Sequence, residues 1–315
     1  MYYPYLRARQ FELISLRELI IENIIQNYVT PILEPVKDTF NNLNLAHKLF
    51  KENNFSAFLI VNPLVGELNG DVNTVLDYLD TIDDCCFLPA FHYTQNSDYI
   101  SRSITDYNLS DCMLICYDNF TDDDDFRELC RQDFITHITL YEPHKYRNLD
   151  RFLKGLGKNY IRLDNVFERQ LKNADFLDIQ AHKFSEEHLF YQNENFDGFS
   201  DFTVLPSEFI DGGSTPRAVV IHLTYLNIEE ENQIWIRHFT SNTNDSIANV
   251  QGKFAEAALK ATNFCEVNGL ENSAIAELRN YYLNGRYPGL GTVKKISIKN
   301  HLNVVRNYLE SRNNE

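Results

Sequence analysis

The stretch "PILEPVK" (31–37) ends a short apolar run, Val29 to Leu33, in a carboxylate, Glu34, and then a proline, Pro35. "LIVNP" (59–63) ends another in Asn62 and Pro63, and "TLYEP" (139–143) a third in Glu142 and Pro143. Proline has no N–H to give to a ladder, so it stops strand pairing. It also disfavours helical backbone in the residue before it, which is expected to hold that side chain extended and aimed. Other apolar runs extend the pattern. "YYPYL" (2–6) leads to Arg7, "CFLPAF" (86–91) to His92, "CMLICY" (112–117) to Asp118 and "YIRL" (160–163) to Asp164. Runs this short and this continuously apolar read as strands buried on both faces.

Between them lie segments with helical periodicity: 11–26, 42–54, 71–82, 123–134 and 146–157, with a weaker one at 99–109. Strand–helix alternation seven times over, with "GFSDFTVLP" (198–206) available as an eighth strand, predicts an α/β fold of the (β/α)₈ TIM-like barrel kind over residues 1–210. The alternative, an open doubly wound sheet, normally carries a Gly-rich first turn, and "YLRARQFEL" (5–13) has none. "ADFLDIQAHKFSEEHLFYQ" (174–192) reads as irregular with one short helix, Ser185 being its N-cap.

Residues 211–315 depart from the repeat. "RAVVIHLTYL" (217–226) and "QIWIRHFTS" (233–241) read as an antiparallel hairpin, followed by helices at 249–267, 273–285 and 299–311. No linker-like composition separates this extension, so it is expected to pack on the barrel as part of one structural unit. Both hairpin strands carry apolar side chains on both faces, and a stripe of Phe254, Ala258 and Leu259 is expected to cover the second face.

The 315 residues are 43% hydrophobic, enough for a large core, and carry a net charge of −16. That balance speaks against autonomous duplex-DNA binding, which draws its affinity from phosphate neutralisation. No apolar stretch is long enough to span a bilayer, and "MYYPYLRARQFELISLREL" has charges where a signal peptide is apolar, so a cytoplasmic protein is expected. The six cysteines form no C-x-x-C pair and read as buried free thiols. "DDDD" (122–125) reads as a solvated loop and helix start.

In a barrel of this kind the C-terminal strand ends surround the active-site mouth. The ring of strand-end residues is therefore the candidate site. Glu34, His92, Asp118, Glu142 and Asp164 are the catalytic candidates. Arg7, Lys37, Asn62 and Asp201 are candidates for holding substrate, with His222, Arg237 and His238 from the hairpin. Converging carboxylates repel unless a cation intervenes, and hard oxygen donors with one histidine suit Mg²⁺ or Mn²⁺. Against this stands the plainer reading that strand-end polar residues cap helices or pair with neighbours. "EFIDGGSTP" (208–216) reads either as a turn or as an anion-binding loop through Gly212, Gly213 and Ser214.

The segments "YYPYLRARQFELISLREL" (2–19), "VTPILEPVK" (29–37), 184–226 and "IWIRHFTS" (234–241) resemble the "beta protein" family of bacteria and phages, whose members also begin with a Y-x-P-x-L strand. The resemblance implies a place in a phage-defence or mobile-element system beside a nuclease-like partner, and no assigned catalytic residues. Two functions follow as expectations. One is metal-dependent hydrolysis of a phosphoester or nucleotide-like small molecule in an acidic barrel mouth. The other is a non-enzymatic adaptor that binds a protein partner through the hairpin and C-terminal helices.

Overall fold

A computed structural model describes residues 1–212 and 216–313. In chain order the barrel half comprises β1 (Tyr5–Leu6), α1 (Gln10–Ile21), β2 (Ile32–Leu33), α2 (Asn41–Glu52), β3 (Ala57–Ile60), α3 (Thr74–Asp80), β4 (Phe87–His92), α4 (Ser97–Asp106), β5 (Cys112–Cys116), α5 (Asp124–Arg131), β6 (Ile135–Tyr141), α6 (Arg147–Lys154) and β7 (Asn159–Asp164). Then come α7 (Phe176–Ile179), β8 (Ala181–Ser185), α8 (Glu187–Phe190) and β9 (Gly198–Asp201). The extension holds β10 (Val220–Asn227), β11 (Gln233–Thr240), α9 (Val250–Val267), α10 (Ser273–Leu283) and α11 (Leu290–Asn313).

Eight parallel strands pair in the order β1-β2-β3-β4-β5-β6-β7-β9. The ends of that sheet meet: Tyr2 bridges Phe199, and the Tyr3 N–H donates to the Phe199 carbonyl at 2.9 Å. The result is an α/β TIM-like barrel. The seam needs Gly198, because a Cβ there would stand 2.4 Å from the Tyr3 ring and 3.0 Å from the Met1 carbonyl oxygen. The eighth strand is shorter than the expected 198–206. It ends at Asp201, and Thr203 turns into the left-handed region with φ 55°.

Three apolar clusters follow from this architecture. The largest lies between sheet and helices, and it includes Ile298, Leu302, Val305 and Leu309 of α11. A second fills the barrel with Tyr3, Tyr5, Ile32, Phe58, Ile60, Ala90, Met113, Ile115, Tyr141, Ile161, Leu163 and Phe202. The third joins Val219, Ile221, Leu223 and Phe239 of the hairpin to α9 and α10. The hairpin is therefore covered on both faces, one by the barrel body and α11, the other by α9 and α10. Phe254 and Ala258 are buried there as expected, but Leu259 is exposed; Ala257 and Ala261 complete the buried stripe.

Two further departures from the sequence reading are instructive. The irregular stretch contains a third strand for the hairpin, since β8 pairs antiparallel with β11. And α11 begins at Leu290, earlier than the expected 299, and runs 24 residues. Its lysines interleave with glutamates of α1 and its C-cap: Lys294 with Glu12 (3.1 Å), Lys295 with Glu18 (2.7 Å), Lys299 with Glu18 (3.1 Å) and with the C-cap Glu22 (2.5 Å). Extension and barrel thus share a core and an ion-pair ladder. Asp123 caps α5 by accepting from the Phe126 N–H at 2.9 Å, and the acidic run 122–125 does serve a helix start. Among the described residues no helix is long and apolar enough to cross a membrane, and all six cysteines are free.

Candidate functional site

Alternation along a strand decides which rim residues reach the barrel mouth. Counting by two from the inward-facing Tyr5, Ile32, Ile60 and Ala90 arrives at Arg7, Glu34, Asn62 and His92. All four side chains lie at the mouth or brace it. Glu34 is fully buried. It accepts from the Tyr5 hydroxyl at 2.6 Å and from the Leu64 N–H at 2.9 Å, and pairs with the Arg7 guanidinium. The other guanidinium nitrogen of Arg7 donates to the Ser207 carbonyl at 2.5 Å, so the loop after β9 is tied across the rim.

His92 stands beside this pair. Its Nε2 is 3.0 Å from the Tyr5 oxygen and 3.5 Å from Glu34 Oε1. The Tyr5 proton is directed at Glu34, so the consistent arrangement has His92 Nε2–H donating to the Tyr5 oxygen. That leaves Nδ1 as a bare acceptor, and Nδ1 is buried with no partner among the described residues. Burial, helped by the Arg7 charge, lowers the His92 pKa to about 3, so the ring is neutral at pH 7. Burial likewise raises the Tyr5 pKa and keeps its hydroxyl protonated. Asn62 clamps the backbone of His92 in both directions, Oδ1 accepting from its N–H and Nδ2 donating to its carbonyl, each at 2.8 Å. Tyr117 and Tyr141 (centroids 4.5 Å apart) and Phe202 (4.9 Å from Tyr5) wall the remaining space. What is left is a cavity of about 360 Å³ lined by Tyr5, Arg7, Glu34, His92, Tyr117 and Asp118, among others.

The other four members of the expected ring are one residue out of phase and do not converge. Asp118 touches the same cavity only from the exposed loop layer, where partial burial raises its pKa. Glu142 is not held extended before Pro143 as expected. It adopts left-handed backbone, φ 46°, and its carboxylate turns to Lys145. Asp164 sits outside the barrel, paired with Arg162 at 2.7 Å. Asp201 also faces outward: it accepts from the Tyr2 hydroxyl at 2.7 Å, and Tyr2 in turn contacts His301 of α11 at 3.0 Å. Lys37 is on the surface with Glu67, 2.5 Å away.

The hairpin candidates are elsewhere again. His222 and His238 approach through their Nδ1 atoms at 2.7 Å, with the His182 ring 5.2 Å from that of His238 and Phe167 and Phe176 packed against them. Arg237 lies over the Phe264 ring at 4.7 Å. These three residues belong to the small sheet and do not line the mouth; Arg237 and His238 line a separate cavity of about 350 Å³. Of the loop 208–216, Gly213 and Ser214 lie outside the described residues.

A divalent cation does not fit the donors present. The mouth offers one buried carboxylate, Glu34, already neutralised by Arg7, and no group of three His, Cys, Asp or Glu among the described residues has the geometry to hold a metal. Sequence reasoning missed Tyr5, Tyr117 and Tyr141. Tyr5 could have been found as the inward neighbour two residues before Arg7.

Next to the mouth, on the far side of Arg7, opens a larger cleft of about 1040 Å³, and Arg7 lines both spaces. No protein-family model and no curated protein sequence matches the chain.

Proposed function

We propose that the barrel mouth is the active site of a hydrolase for a small phosphoester-type molecule, working by acid–base chemistry of its own side chains. The observation that carries this is the Tyr5–Glu34–His92 network at the strand C-terminal ends, in which a neutral His92 lines the cavity and its Nδ1, buried just behind, has no partner among the described residues. In this reading a water molecule admitted to the buried Nδ1 by a small movement of the ring donates its hydrogen bond there and attacks phosphorus. As the new P–O bond forms, the water proton passes to Nδ1, and the Glu34 carboxylate behind Nε2 stabilises the imidazolium. The bond from phosphorus to the leaving oxygen breaks, and Nδ1 returns the proton to that oxygen. Arg7, anchored by Glu34 and Ser207, keeps a guanidinium edge at the rim for the phosphoryl oxygens.

The adaptor reading places its partner on the hairpin and the C-terminal helices; an open apolar hairpin face would favour it, and both hairpin faces pack within the chain. The test is hydrolysis of p-nitrophenyl phosphate and bis(p-nitrophenyl) phosphate by the purified protein in EDTA, then with added Mg²⁺ or Mn²⁺. Turnover in EDTA is expected. Turnover that appears only with the metal would overturn the proposal.

A further inference from the structure

The cleft beside the mouth has an unusual charge for this chain. The molecule as a whole carries −16, yet Arg7, Arg9, Lys172, Arg217 and Lys294 line this one space, against the carboxylates Glu12, Asp175 and Glu208. Each of those carboxylates already has a partner. Glu12 accepts from the Arg7 N–H at 2.7 Å and from Lys294 at 3.1 Å, Asp175 accepts from the Lys172 N–H at 3.1 Å, and Glu208 pairs with Arg169. Among the described residues neither the Lys172 ammonium nor the Arg217 guanidinium has a carboxylate within ion-pair distance, and both side chains are exposed. Arg9 is partly engaged, its guanidinium lying 4.7 Å over the Phe209 ring, donating to the Ile210 carbonyl at 2.9 Å and standing 3.9 Å from the exposed Asp211 carboxylate.

The same cleft is bordered by apolar side chains that the fold leaves in water. Leu171 is 96% exposed, Ile247 60% and Ile210 48%. Exposed aliphatic side chains scattered singly mean little, but these three line one concave space together with two cations that have no carboxylate partner among the described residues. A space that is apolar on part of its wall and cationic on another fits a ligand with an apolar ring at one end and several negative charges at the other. Its position matters too. Arg7 is common to cleft and mouth, so a phosphate chain lying in the cleft runs toward His92.

We infer that the substrate is a nucleoside polyphosphate, its base against Leu171, Ile210 and Ile247 and its phosphates between Arg9, Lys172 and Arg217, with the terminal phosphoanhydride, the bond to be cleaved, at Arg7. This rests on the barrel-mouth hydrolase reading and adds the substrate class. A cleft with an excess of cations concentrates an anion even on an acidic protein, and the effect weakens with salt.

Calorimetric titration of the full-length protein with ATP, adenosine and inorganic tripolyphosphate tests it, with p-nitrophenyl phosphate turnover measured in parallel. ATP is expected to bind at least tenfold more tightly than either adenosine or tripolyphosphate. The K172E/R217E double variant is expected to lose at least tenfold in ATP affinity. ATP binding unchanged in that variant, or tripolyphosphate binding as tightly as ATP, would overturn the nucleotide assignment. Loss of p-nitrophenyl phosphate turnover is read on the unmodified protein, so failure of the mouth is told apart from failure of the cleft. Melting temperatures of both proteins control for folding, and the single variants K172Q and R217Q replace the double variant if it melts early.

Discussion

Glu34 joins two roles in one carboxylate. It orients Tyr5 behind His92 and it neutralises Arg7, and the carboxylate itself is out of water while Arg7 keeps one edge at the rim. Replacing one member of a buried, hydrogen-bonded ion pair leaves the other charge unpaired, which costs about 3–5 kcal/mol. Glu34→Gln should therefore lower the unfolding free energy in urea by about 3 kcal/mol, and Arg7→Met/Glu34→Gln should cost less than the sum of its single variants. A single variant as stable as the parent would mean that the pair is not formed in solution. Such a side chain cannot be changed for function alone, which the sequence did not reveal. What the sequence did reveal is instructive. The strand ends were legible, but reading each run to its first polar residue put eight side chains on one rim. Strand alternation admits only Arg7, Glu34, Asn62 and His92 and turns Glu142, Asp164 and Asp201 outward. Counting by two along each strand would have made the same division. The left-handed turn at Glu142 has no such signal, because tertiary contacts select it over the extended form that a following proline favours.

At the scale of elements, the barrel repeat was readable because each buried strand is a short apolar run with a helical spacer. β8 was not, since "AHKFS" is half polar and becomes a strand only by pairing with β11. The start of α11 was hidden behind Pro288 and Gly289, which read as a loop and in fact precede the helix. That helix is the main tie between extension and barrel. It supplies Leu302, Val305 and Leu309 to the large core, and its His301 meets Tyr2. Deleting residues 249–315 should uncover both this core and one hairpin face, so the truncated chain should aggregate. A soluble, monomeric truncation with a cooperative melt would show that barrel and hairpin close without it. The seam makes a smaller prediction. Gly198→Ala must push the Tyr3 ring aside and should cost about 1–3 kcal/mol, whereas an unchanged melting temperature would mean that the seam is looser than described.

The whole molecule stores five histidines in neutral form. Burial is the leading cause in each case, lowering His92 and His222 to about 3, His137 and His188 to about 4, and His238 to about 2. An unfolded chain takes up protons on these rings below about pH 6.5, and the folded chain does so only near pH 4 or lower. Stability is thus full above pH 6.5 and falls as pH drops below it, by about 1 kcal/mol per histidine for each pH unit. The melting temperature should decline steeply between pH 7 and pH 5, and a flat profile there would mean that the rings are hydrated. Function is the larger question, and it turns on which strand-end residues do the chemistry. The direct measurement compares phosphoester turnover in EDTA for His92→Asn with that for Glu142→Gln and Asp164→Asn, with melting temperatures as controls. A mouth that works through Tyr5, Glu34 and His92 loses at least 100-fold with His92→Asn and stays within about twofold with the two outward carboxylate variants. Full activity in His92→Asn, or its loss in Glu142→Gln and Asp164→Asn, would contradict it.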